Sequence, residues 1–120
     1  MSADATDAAA VAVALTTVDS EAAARALARG LVDEHLAACV NIVPGVSSIY
    51  RWQGAIEEAS EWLLVIKTAR HCLDRTRVRL LELHPYDTPE WVVVDVAEVS
   101  SAYGRWLLGE VVPAGSRPSA

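Results

Sequence analysis

At 120 residues and 12.9 kDa the chain is long enough to bury one core and too short for two independent ones. Hydrophobic residues make up 52% and mean hydropathy is +0.24, high for a small domain that must cover itself with polar groups, so part of the apolar surface is expected to meet another chain. A formal charge of -6 and a pI near 4.9 repel phosphate backbones and anionic bilayers, which excludes nucleic acid and membranes as expected partners.

The N-terminus carries Asp4 and Asp7 and no Lys or Arg before Arg25, so it lacks the positive segment of a signal peptide. The apolar stretch 8–18 falls short of the ~20 residues of a membrane span. A reducing cytoplasm is therefore the expected compartment. Residues 1–8 read as a disordered arm, 9–112 as one domain and 113–120 as a flexible tail.

Val11 to Leu15 is a continuous apolar run that suits a central strand buried on both faces. Asp19 and Ser20 are good N-caps, and the helix that follows runs to about His35 with Ala24, Leu27, Ala28 and Leu31 on one face. Val40 to Val43 resumes β character. Pro44-Gly45 then interrupts the ladder, predicting a bulge, before the strand continues from Val46 to Trp52. Gln53-Gly54 predicts a hairpin turn into a long strand from Ala55 to Thr68. Leu73, Thr76, Leu80 and Leu83 share a helical spacing that Pro85 ends. After the loop 84–90, Trp91 to Val96 is a further strand, and Ser100 or Ser101 caps a short helix carrying Tyr103, Trp106 and Leu107.

The order β-α-β-β-α-β plus a terminal helix is an α+β, ferredoxin-like arrangement, in which the helices cover one face of the sheet. Yet Trp62, Leu64 and Ile66 alternate with Leu63 and Val65, so both faces are apolar and the second has to pack on something else. The strand from Ala55 to Thr68 spans about 45 Å at ~3.3 Å per residue, longer than the roughly 35 Å width of a domain of this size. The hairpin should overhang and lie on a neighbour.

The tracts Leu36 to Asn41, Ser48 to Gly54, Lys67-Thr68 and His84 to Glu90, with Tyr103 and Trp106 beyond them, resemble the CutA divalent-ion tolerance family over roughly Val11 to Glu110. The resemblance implies a PII-like homotrimer of ferredoxin-like subunits with hairpins exchanged around a threefold axis. It also implies a link to tolerance of copper and other divalent metals, and no catalysed reaction, so the chain is expected not to be an enzyme. No obligatory cofactor is implied; Cu²⁺ or another divalent cation is the implied ligand. Metal-binding relatives place a Cys at the position of Thr16 and a His at that of Leu83, so only His84 of that set is present here. The stretch Asp95 to Val99 also replaces a Pro and a Gly usual at its ends.

The residues themselves leave alternatives open. His84 precedes Pro85, and Asp87 and Glu90 follow in the same loop, a donor set able to hold a divalent cation with Cu²⁺ favoured. His84 also suits a helix cap or a hydrogen bond across a trimer, the more ordinary role for such a residue. Glu61 and Lys67 share a strand face that is otherwise apolar and need partners, Tyr86 or Glu90 across a subunit boundary. That makes either an ion pair fixing register or an inter-subunit cleft for a small ligand lined by Glu61, Lys67, Tyr86 and Glu90. Tyr50, Trp52, Trp62 and Trp91 are the aromatic residues expected at the trimer interface. A base-stacking role for them is excluded by the acidic charge and the lack of Phe.

His35 and His71 lie near helix ends, where a cation complements the dipole. Cys39 reads as a small hydrophobe, and Cys72, opening the second helix, has a position that lowers thiol pKa. Neither has a metal or disulfide spacing, and no His and acid surround Cys72 for nucleophilic catalysis. Three functions follow: a homotrimeric metal-tolerance protein with weak divalent-metal binding, a PII-like sensor with a small ligand between subunits, or a trimeric scaffold for other proteins.

Overall fold

The computed structural model describes residues 8–115. Strand β1 (Val11–Val18) lies inside the sheet, and Ala12, Ala14, Thr16 and Val18 on one of its faces are fully buried. Helix α1 (Glu21–Asp33), β2 (Cys39–Trp52), β3 (Ala55–Ala69), α2 (Leu73–Leu83), β4 (Val92–Asp95) and α3 (Ser101–Glu110) follow, with one 3-10 turn at Arg70–Cys72. The strands run in the order β2-β3-β1-β4 with all neighbours antiparallel, which is the ferredoxin-like βαββαβ fold expected from sequence. Residues 1–7 and 116–120, most of the expected arm and tail, lie outside the described residues. Ala8, assigned to that arm, is instead buried.

Helix α1 starts where Ser20 accepts the Ala23 N–H at 3.1 Å. It stops two residues before the expected His35, because His35 takes a left-handed conformation (φ 59). The Leu36 N–H then reaches the Leu31 carbonyl at 2.9 Å and the His35 N–H the Val32 carbonyl at 3.0 Å, a Schellman closure with His35 where Gly is usual. His35 is held there by the C-terminal segment: its Nδ1–H donates to the Glu110 carbonyl at 3.0 Å and its own carbonyl accepts the Val112 N–H at 2.9 Å. His71 adds a 2.7 Å bond from Nε2–H to the Val112 carbonyl. The two histidines thus fasten a chain segment, which goes beyond the dipole complement expected of them.

Leu64 and Ile66 of β3 pack with Ala14 and Val18 against Leu27 and Leu31 of α1 and Leu80 of α2. Each fully buried large side chain contributes about 1.5–3 kcal/mol. The helices do not all lie on that face, as the fold class had suggested. Leu107 and Val111 join Val11, Ala69 and Cys72 in a second cluster, and the Lys67 Nζ lies 5.8 Å above the Tyr103 ring. Helix α3 therefore covers one end of the other face, because its Leu107 stripe finds Val11 and Ala69 there. Val13, Leu15, Leu63 and Val65 in the middle of that face stay half-buried.

The β2-β3 hairpin is the longest feature of the chain. The expected bulge falls between Val43 and Val46, with Gly45 at φ 74, a value open to Gly and strained for other residues. Gln53 (φ 50) and Gly54 (φ 82) make the turn, both positive as a type I′ geometry demands. The chain measures 51 × 34 × 23 Å with a radius of gyration of 15.3 Å. A compact chain of this length has a radius of about 13–14 Å, so the hairpin overhangs as its length implied.

Candidate functional site

Where β1 ends and the loop after α2 begins, three side chains form a linked group. His84 follows α2 with an extended backbone (φ -76, ψ 136), as a residue before Pro prefers, and its N–H closes the helix on the Leu80 carbonyl at 2.8 Å. The ring turns toward β1. Its Nε2 lies 3.0 Å from the Thr17 carbonyl and 3.2 Å from the Thr16 hydroxyl, and its Nδ1 accepts the Tyr86 N–H at 3.1 Å. A carbonyl can only accept, so Nε2 carries the proton and Nδ1 commits its lone pair to Tyr86. Burial pushes the His84 pKa down, and the Thr17 carbonyl, Asp19 and Glu61 only partly oppose it.

Tyr86 packs its ring on His84, centroids 4.8 Å apart, and donates its hydroxyl to Glu61 Oε2 at 2.7 Å. Its pKa rises well above the ordinary phenol value, first through burial and then through that carboxylate. Glu61 is only 7% exposed, and among the described residues no Lys, Arg or His forms an ion pair with it. The Glu90 pKa is raised, first by partial desolvation of its own carboxyl and then by the Glu61 charge.

Of the four residues expected to line a cleft between subunits, Glu61, Tyr86 and Glu90 come together within one chain, Tyr86 bonding Glu61 of its own chain rather than across a boundary, and Lys67 lies far along the strand from them. Six residues along a strand at ~3.3 Å each put it about 20 Å from Glu61, under Tyr103. A direct Glu61–Lys67 pair within the chain is therefore ruled out. Within a single chain the expected metal donors are not gathered into one site. His84 has both nitrogens engaged and Asp87 is exposed, and among the described residues no group of three or more His, Cys, Asp or Glu can hold a metal ion. Of the positions that the family resemblance connected, 16 and 84 do touch, whereas Leu83 faces α1, where its Cδ1 is 3.2 Å from the place of a Cβ on Gly30.

The four expected interface aromatics divide. Tyr50 and Trp52 are exposed on the hairpin, whereas Trp62 and Trp91 pack on the chain's own core. Ile49 (70% exposed) and Ile56 (68%) were missed, although their alternation with Tyr50 and Trp52 was a signal that both hairpin faces are apolar. Cys72 is fully buried and its thiol pKa is raised by that burial, the reverse of the expectation drawn from its place at a helix start.

The whole group lies inside residues 12–110, which match the family model described as CutA1 divalent ion tolerance protein. The chain belongs to this family. A Thermus thermophilus relative named divalent-cation tolerance protein CutA is 52% identical over 95 residues, 79% of this chain and 92% of its own. A solved Cut A1 structure from that organism has a TM-score of 0.83 at 48% identity, covering 85% of this chain and 99% of that one. Rice CutA1 gives a TM-score of 0.84 at 34% identity over 92% and 98% of the two chains. An Arabidopsis thaliana relative named as chloroplastic CutA is 41% identical over 79% of this chain and 52% of its own length. No helix among the described residues is long and apolar enough to cross a membrane.

Proposed function

We propose that this CutA-family chain is a non-catalytic divalent-cation tolerance protein, that it works as a cytoplasmic PII-like homotrimer, and that it holds divalent metal, Cu²⁺ foremost, only weakly. The observation that carries the assembly is the hairpin tip. Ile49 and Ile56 stand on one of its faces and Tyr50 and Trp52 on the other, all exposed. A two-stranded ribbon apolar on both sides is marginal in water and gains most from lying between copies of its own chain. What supports weak rather than tight binding is His84: a cation at Nδ1 must displace the Tyr86 N–H, and the other expected donors, Asp87 and Glu90, are exposed hard carboxylates that form no metal-holding group with it within one chain.

Light scattering tests the assembly, with three chains expected and a soluble 12.9 kDa monomer overturning it. Calorimetric titration of Cu²⁺ into wild type and His84→Ala tests the metal. Weak binding, reduced by the substitution, is expected; nanomolar binding, or binding that ignores the substitution, overturns it. The buried Glu61–Tyr86 pair favours one second reading, a PII-like sensor with a small ligand between subunits. A thermal-shift scan against nucleotides and metabolites would reveal it.

A further inference from the structure

We infer that the Glu61–Tyr86 pair is one half of a site shared by two copies of the chain, and that Lys67 of the partner subunit supplies the other half. The inference rests on the homo-oligomer proposed above and specifies which groups meet in it.

A carboxylate nine-tenths buried is costly unless a cation or several donors lie beside it. Glu61 accepts the Tyr86 hydroxyl on Oε2, and the neighbouring Glu90 adds like charge. The ion pairs among the described residues are Arg25–Glu21, Arg70–Asp95 and Arg79 with Glu34 and Glu82, and none extends to Glu61. Lys67 has the complementary deficit. It is half-buried, no carboxylate among the described residues lies within ion-pair distance, and its ammonium faces a tyrosine ring. A ring face is a weaker counterpart to a cation than a carboxylate is.

The two charges sit at opposite ends of one face of β3, with Leu63 and Val65 between them. That middle is the part of the sheet that α3 leaves half-buried, together with Val13 and Leu15. A strip with an acid at one end, a base at the other and apolar residues between complements a second copy of itself. In a closed threefold ring every copy gives its ammonium to one neighbour and receives one from the other. Arg51 is the rival cation near the hairpin tip, but it pairs with Ile56 on the opposite ribbon face from Glu61, Tyr50 and Trp52.

The test uses Glu61→Cys and Lys67→Cys, alone and together, in a Cys39→Ser, Cys72→Ala chain treated with a bis-maleimide spanning about 8–10 Å. That reach is under half the ~20 Å separating the two positions along one strand, so linkage within a chain is out of range. Covalent multimers up to the trimer are expected on denaturing gels when both substitutions are present, and none with either alone. Light scattering on the same samples separates the two ways to fail. A trimer that does not link overturns the pairing while the assembly stands, and points to a free cation at Glu61. A monomer overturns the assembly along with it. Charge reversal gives a second measurement: Glu61→Lys and Lys67→Glu should each lower the melting temperature, and the combined variant should recover at least half of the summed loss. A combined loss equal to the sum overturns the pairing.

Discussion

Replacing Tyr86 by Phe removes one oxygen and leaves the ring on His84, so it isolates the bond to Glu61. That bond is 2.7 Å long, its acceptor is charged, and its acceptor is 7% exposed, so water cannot readily take over. Hydrogen bonds to charged groups are worth about 1.5–3 kcal/mol, and the loss of stability should fall in that range per chain. Denaturant unfolding at fixed protein concentration measures it, the fixed concentration being needed because assembly shifts apparent stability. The difference should also depend on pH. The folded chain holds the Tyr86 proton more tightly than the unfolded chain does, and a free phenol titrates near pH 10. The contribution is therefore complete below about pH 10 and is lost as pH rises beyond it, so the gap between wild type and Tyr86→Phe should narrow there. A loss below about 0.5 kcal/mol at pH 7, with parallel curves in alkali, would show that the buried carboxylate gains nothing net from the phenol.

Three further outcomes are expected. The His84 pKa is depressed in the fold, so its contribution is complete above the free value near 6.5 and is lost as pH falls below it. Melting curves of His84→Gln should be flatter than wild type between pH 5 and 6.5, and equal slopes would contradict the neutral-ring geometry. Gly54→Ala places a Cβ at φ 82 with open space around it, so it should cost only the backbone strain, about 1–2 kcal/mol; a stabilising effect in thermal melts would mean that the turn relaxes. Cys72, buried with a raised pKa, should resist iodoacetamide in the native protein and react on denaturation, and native alkylation at the rate of a free thiol would refute its burial.

The parts of the fold that local chemistry dictates were legible in the sequence. Pro44-Gly45 marked the bulge, Gln53-Gly54 the turn, Ser20 the cap, and the Leu27 and Leu31 stripe the buried face of α1. Strand alternation and the loop single out Glu61, Tyr86 and Glu90 but set Tyr86 across a subunit boundary, whereas its bond to Glu61 lies within one chain. Partners that are backbone groups brought from afar were not legible. Nothing about Thr17 as a residue announces that its carbonyl will fix the His84 tautomer, and nothing about Val112 announces a double hold by His35 and His71. Within one chain Lys67 stands apart from Glu61, Tyr86 and Glu90, because a shared strand face says only that two side chains point the same way, and six residues of strand separate Lys67 from Glu61.

The central place of β1 has a consequence for synthesis of the chain. Both of its neighbours come later: β3 pairs with it from Trp62 to Ala69, and β4 from Val92 to Asp95. The first residue of β4 lies 74 positions after the last of β1. At about 5–20 residues per second on a ribosome, one edge of the most apolar strand waits roughly 4–15 s for its partner. The β2-β3 hairpin, whose strands are adjacent in sequence, can close in that interval. The order of emergence thus leaves β1 dependent on whatever shields nascent chains, and makes the short β4 the segment that completes the sheet.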